Sequence, residues 1–253
     1  MRLRFALLLM TGAIQASGAR AAELHVVSSG GFAEAYRTLL PGFEAATGHH
    51  VTTEWGPSMG ATPQAVPQRL ARHEPIDVVI MVGTALEGMV QRGQAAGSTD
   101  LARSVIGVVV KAGAPVPDIS TPEALTRALL AAKSVAVSDS ASGVYIMTVM
   151  FKRLGIEAAM ARTARVIPAE PVGAVVARGE AEIGFQQVSE LRPIQGIILV
   201  GPLPNAVQQV TLFSAGRLTT SQNAGAADAL IAYLARPEAA PAIIESGLDP
   251  VNR

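Results

Sequence analysis

Three short loops rich in serine and glycine carry the chemistry most readily available to this chain. Ser28-Ser29-Gly30-Gly31, Gly56-Pro57-Ser58 and Ser138-Asp139-Ser140-Ala141-Ser142-Gly143 each follow a strand-like stretch and lead into a helix-period run. Hydroxyls and backbone N–H groups at such a junction are donors, and the start of a helix favours negative charge. Glycine lets a ligand approach the main chain closely. Ser28, Ser29, Gly30, Ser58, Ser140, Ser142 and Gly143 are therefore candidate contacts for a small anion. Ser142, beside Gly143, serves equally well as an N-cap. Asp139 would repel an anion if it pointed inward and reads as a turn residue bonding its own backbone.

Two titratable side chains could add acid–base work to binding. Glu170 stands between Ala169 and Pro171 at a strand end, where a carboxylate in an anion-binding cleft would hold its proton more tightly and act as a general acid or base. Tyr145 lies one helical step beyond the third loop, a position that also suits the core. Other chemistry finds little support. His25, His49, His50 and His73 lack metal-ligand spacing, and the sequence shows no nucleophile elbow, phosphate-binding lysine loop or dinucleotide fingerprint. No metal or cofactor is expected. Arg69, Arg72 and Arg178 are isolated and read as surface ion pairs, although they could neutralise a polycarboxylate.

The loops need a scaffold that presents them at strand ends. Apolar or alternating stretches predict strands over 24–27, 51–55, 77–82, 105–110, 134–137, 165–167 and 210–215, separated by helix-period runs. One helix runs from Phe32 to a stop at Gly48, and another has its stripe at Ala226, Ala227, Leu230, Ile231 and Leu234. Such alternation implies doubly wound, mainly parallel sheets whose ligands sit beyond the carboxyl ends of the strands. The segment from Lys111 to Pro117 breaks the series, and a fresh one follows. A late strand and helix suggest that the chain returns to its first lobe. The expected organisation is one lobe of residues 22–104 plus 212–253 and a second of 105–211, joined by two crossing strands.

Composition narrows the partners. Among 253 residues, 49% are hydrophobic, only 4% aromatic and 16% charged, with 24 Gly and 16 Pro, a profile of an Ala/Val-rich α/β chain with many short connections. Lys plus Arg equals Asp plus Glu at 20 each, so nothing points to nucleic acid. Without cysteine there is no disulfide and no thiol nucleophile. Arg2 and Arg4, an apolar core from Phe5 to Ile14 and Ala19-Arg20-Ala21 have the form of a secretory leader cleaved after about Ala21. The expected product is an exported, periplasmic monomer, slightly acidic once the leader is lost.

Taken together, the chain resembles type II periplasmic solute-binding proteins, closest to the molybdate-binding branch, over essentially its whole mature length. The resemblance rests on Val26-Val27-Ser28-Ser29, Trp55-Gly56-Pro57-Ser58, Asp77-Val78-Val79-Ile80-Met81, the stretch from Arg178-Gly179-Glu180 to Gly184-Phe185, and Leu234-Ala235-Arg236-Pro237-Glu238-Ala239. It implies a two-lobed fold that captures a small anion between the lobes, through hydroxyls and N–H groups at Ser28 or Ser29, Ser58 and the 140–142 loop. It also implies delivery to an ABC-type transporter permease. Where molybdate binders usually carry a ligand-binding tyrosine, this chain has Gln187, whose amide both donates and accepts. An organic polycarboxylate is therefore an alternative ligand. The scaffold also has an enzymatic variant, aconitate isomerase, and the Ser-Ser-Gly-Gly and Ser-Asp-Ser-Ala-Ser-Gly loops keep it open as the alternative function.

Overall fold

The computed structural model describes residues 21–252. Apart from Ala21, the expected leader lies outside the described residues. In chain order the strands are β1 (Glu23–Ser28), β2 (His50–Trp55), β3 (Val78–Val82), β4 (Thr99–Ser104), β5 (Ile106–Lys111), β6 (Val135–Ser138), β7 (Ala164–Ile167), β8 (Ile183–Gln187), β9 (Ile197–Pro202), β10 (Thr211–Arg217) and β11 (Asp249–Pro250). They form two sheets, ordered β11-β4-β10-β3-β1-β2 and β7-β6-β8-β5-β9. Each sheet is the centre of one lobe. The chain passes from the first to the second between Ser104 and Ile106, and returns between Pro202 and Thr211.

The parallel arrangement expected from strand–helix alternation is confined to β2-β1-β3 and β7-β6-β8. Strands β4, β5, β9, β10 and β11 pair antiparallel, so the sheets are mixed. A parallel neighbour needs a covering crossover, whereas β4 runs almost directly into β5; the strands that join the parallel cores, β10 on β3 and β5 on β8, both run antiparallel to them. Strand β4 escaped the sequence reading because Asp100 and Arg103 interrupt its apolar pattern.

Side-chain alternation builds the core on both faces of each sheet. Leu24, Val26, Val78 and Ile80 pack on one face of the first sheet, Val27, Val79 and Met81 on the other. The second sheet divides likewise, with Val135, Val137 and Phe185 on one face and Val109 and Ala136 on the other. Helix Ala33–Thr47 seals the first face through Tyr36, Leu39 and Phe43 and stops at Gly48, whose φ of 70° is left-handed.

This architecture fixes where chemistry can occur. The parallel strands of the first lobe end at Ser28, Trp55 and Val82, and those of the second at Ser138, Ile167 and Gln187. Residues just beyond both sets of ends line one shared cavity between the lobes.

Candidate functional site

The interlobe cavity measures about 410 Å³, inside the range of roughly 300–1,000 Å³ usual for small-molecule sites. The first lobe supplies Ser29, Gly30, Gly31, Ser58, Thr62 and Phe213, among others; the second supplies Ser138, Asp139, Ser140, Glu170, Gln186, Gln187 and Glu190. Among the described residues lining it there is no Lys, Arg or His. Any anion held here is met by neutral donors.

Several of those donors stand ready. The Ser29 hydroxyl and Thr62 Oγ1 are buried without a partner. Ser58 Oγ accepts the Val82 N–H at 2.9 Å, which leaves its own proton free to donate. On the opposite wall Ser138 Oγ lies 2.8 Å from Ser140 Oγ and 2.9 Å from Ser142 Oγ. A hydroxyl donates only one proton, so this chain can pass donation outwards from Ser142 through Ser138 to Ser140, which faces the cavity. Gln187 donates from Nε2 to Thr211 Oγ1 at 3.0 Å, while its buried Oε1 has no partner. Unsatisfied buried polar atoms cost about 1–3 kcal/mol each, and their gathering around one cavity, from both lobes, marks a site built for a polar guest.

One side chain on the wall is a poised acid–base group. Glu190 belongs to the short helix Val188–Leu191 that follows β8. It is half-buried, and the cavity is where it meets solvent. Burial among protein atoms pushes its carboxyl up to about 7; hydrogen bonding from the Gln186 side chain and the Gln187 backbone pulls the other way, and the Asp139 charge adds a little upward. A carboxyl near neutrality exchanges a proton with a bound substrate far more readily than an ordinary exposed one. Sequence reasoning missed Glu190. Its one legible signal was position, a carboxylate four residues past Gln186 at a strand end that faces the cleft.

The residues singled out from sequence divide sharply. Ser29, Gly30, Ser58, Ser140 and Gln187 line the cavity, while Ser28, Ser142 and Gly143 stand behind its wall. Ser28 is fully buried and turns its hydroxyl back to the Ser29 carbonyl at 3.2 Å. A Cβ on Gly143 would collide with the Ser138 carbonyl, so this glycine serves loop packing and not ligand approach. Glu170 does line the rim, but Arg178 Nη2 binds both its oxygens at 3.2 and 3.1 Å among exposed side chains. The arginine satisfies the carboxylate and holds it at the surface. Tyr145 is corrected more strongly: its hydroxyl donates to the Val207 carbonyl at 2.9 Å, and its ring belongs to the second lobe's core. Asp139 accepts the Ala169 N–H at 3.3 Å, a backbone bond beyond its own turn. Ala169 has a left-handed φ of 59°, a costly conformation for a residue with a Cβ, held at the cavity wall.

A two-lobed α/β fold with an anion-ready cleft at facing strand ends defines a class. The chain belongs to the bacterial extracellular solute-binding protein family, whose pattern it matches over residues 24–249. Over 230 residues it is 51% identical to an aconitate isomerase of Pseudomonas sp., covering 90% of this chain and 88% of that one. Solved structures extend the fold. A periplasmic molybdate-binding protein of Azotobacter vinelandii superposes with a TM-score of 0.66 at 19% identity, over 89% of this chain and 98% of its own. A sulfate-binding protein of Mycobacterium tuberculosis gives 0.69 at 19%, over 91% and 87%. At such identities the likeness is one of fold.

Proposed function

We propose that this chain is an aconitate isomerase on the exported solute-binding scaffold, with Glu190 as the group that moves the proton. The observation that carries the reading is the placement of Glu190: a carboxyl that titrates near neutrality, on the wall of a cleft whose hydrogen-bond donors are neutral. The 51% identical isomerase supports it.

The chemistry follows from the substrate. Ionised Glu190 removes a proton from the methylene carbon of aconitate, and the electron pair spreads over the allylic carbons and the adjoining carboxylate. The proton then returns to the former vinylic CH, and the double bond moves one carbon along. The product is the opposite geometric isomer, and Glu190 is ionised again. Hydroxyls of Ser29, Ser58, Thr62 and Ser140 hold the substrate carboxylates and stabilise the spread charge. Closure of the two lobes over the ligand excludes water.

Purified protein incubated with cis-aconitate should form the trans isomer, followed by proton NMR. Glu190→Gln should lower the rate by about 10²–10⁴-fold while the variant still binds substrate. No turnover, with tight calorimetric binding of molybdate or a carboxylate, would instead leave the carrier reading. That second reading is favoured by the uncharged hydroxyl donors of Ser29, Ser58, Thr62 and Ser140, which suit an oxyanion or an organic polycarboxylate passed on to an ABC-type permease. Both readings place the chain in the periplasm as a monomer after loss of a leader ending near Ala21.

A further inference from the structure

Gln186 is the penultimate residue of β8, before Gln187, is almost completely buried, and lines the cavity. Its Oε1 accepts the backbone N–H of Val172 at 2.9 Å. Val172 opens the helix Val172–Ala177, so this N–H has no partner within the helix and can only donate. The amide is thereby locked in one orientation, since an amide turned over would set two donors against each other. Its NH2 group must then point away from Val172, and it hydrogen-bonds to Glu190, four residues further along.

We propose that Gln186 is a positioning residue, anchored at one end to the start of helix Val172–Ala177 and holding the Glu190 carboxyl at the other so that it faces the cleft. The inference rests on the role given to Glu190 above, but its geometry stands apart from any turnover. Neighbouring elements offer few competing charges. Asp139, in the loop after β6, is the carboxylate that acts on Glu190, and Glu170 on the same wall is paired with Arg178, which it shares with Glu180. From the first lobe the packed neighbour is Gly30, which carries no charge. Just past the helix Val188–Leu191 that carries Glu190, Arg192 donates to the Ile244 carbonyl at 3.4 Å.

Two substitutions isolate the role. Gln186→Glu keeps an oxygen for the Val172 N–H but replaces the NH2 donor with a like charge beside Glu190. Gln186→Met removes both functions at similar volume. The readout is the titration midpoint of the Glu190 side-chain carboxyl in the ligand-free protein, followed by 13C NMR and assigned through Glu190→Gln. The midpoint should rise by about one pH unit or more in Gln186→Glu and by less in Gln186→Met, and the acid limb of kcat/KM should move with it. An unchanged midpoint in both variants would overturn the positioning role. Should the parent protein fail to isomerise aconitate while the midpoint still moves, the positioning role stands and the isomerase reading falls. If turnover is present and the midpoint stays put, the positioning role falls alone.

Discussion

The carboxyl of Glu190, carried by the second lobe, rests directly over Gly30 of the first, where a Cβ would overlap its Oε1. The neighbouring residues join the lobes as well, with Ser189 Oγ donating to the Gly31 carbonyl at 2.7 Å. The base of the proposed reaction is thus seated by both lobes at once, and its desolvation depends on their contact.

Gly30→Ala tests that seat. The backbone at Gly30 is not left-handed, so a methyl group meets no conformational penalty there, only the movable tip of Glu190. The substitution should lower kcat/KM by about 10²-fold, as expected when a reacting group is displaced by ~1 Å, with little change in Tm. Combining it with Glu190→Asp, which withdraws the carboxyl by one methylene, should restore part of the loss. An unaltered rate in the single variant would show that Glu190 is not held by this contact. Gly31→Ala is the contrast. Its methyl would strike the Phe213 ring, and such overpacking costs about 1–3 kcal/mol of stability.

The pH dependence has opposite signs for activity and stability. In the unfolded chain the Glu190 carboxyl titrates near the ordinary carboxylate value of 4.5, and in the folded protein at about 7. Between these values the native state binds the extra proton, so the stability Glu190 contributes is complete below 4.5 and is lost as pH rises towards 7. The slope is at most about 1.4 kcal/mol per pH unit. Thermal unfolding of the parent and of Glu190→Gln should therefore diverge with rising pH, the variant gaining in relative stability. Activity runs the other way: kcat/KM should rise with pH through about 7 as the base ionises. Parallel stability curves for the two proteins would remove the case for a raised carboxyl.

Much of the scaffold was legible because it is written in local pattern. Asp77 to Val82 is a continuous apolar run and became β3, covered on both faces; Gly48 became the left-handed helix stop. What failed were distinctions that depend on where a side chain turns. Ser28 and Ser29 are adjacent and chemically alike, yet alternation at the end of β1 sends Ser28 inwards and leaves Ser29 at the cavity. Tyr145 looked available until the strap at Val207 took its hydroxyl. Glu190 could not be ranked above Glu170, because a carboxyl's titration depends on packing across the two lobes, and Arg178 reaches only one of the pair.

The Ser28 and Ser29 distinction is itself testable, with Ser58 as the reference. Ser28→Ala should leave ligand affinity unchanged, because its hydroxyl is turned back onto the main chain. Ser58→Ala should do more, removing a cavity donor and stripping the Val82 N–H of its acceptor. A stability cost of about 1–3 kcal/mol is expected from the bare N–H, and a similar loss in binding energy. Calorimetry with cis-aconitate and thermal unfolding read the two effects separately. A larger affinity loss in Ser28→Ala than in Ser29→Ala or Ser58→Ala would place the site on the wrong hydroxyls.

Closure needs crossing segments that stay in register while the lobes move, and Gln208 supplies the tie. Its Oε1 accepts the Ile106 N–H at 2.9 Å and its Nε2 donates to the Ile106 carbonyl at 3.0 Å, the pattern of a strand partner made by a side chain. The two residues belong to different crossings, one leaving the first lobe and one returning to it. In Gln208→Ala the Ile106 N–H loses its acceptor, whereas the carbonyl keeps the Leu203 N–H at 2.9 Å. The variant should lose about 1–3 kcal/mol of stability. Looser crossings also widen the range of lobe orientations, so substrate should bind more weakly and X-ray scattering should report a larger radius of gyration before ligand is added. Saturating ligand should bring that radius back towards the parent value, since only the closed arrangement makes all the cleft contacts. A Gln208→Ala protein with the parent's scattering profile and affinity would show that the crossings are held without this amide.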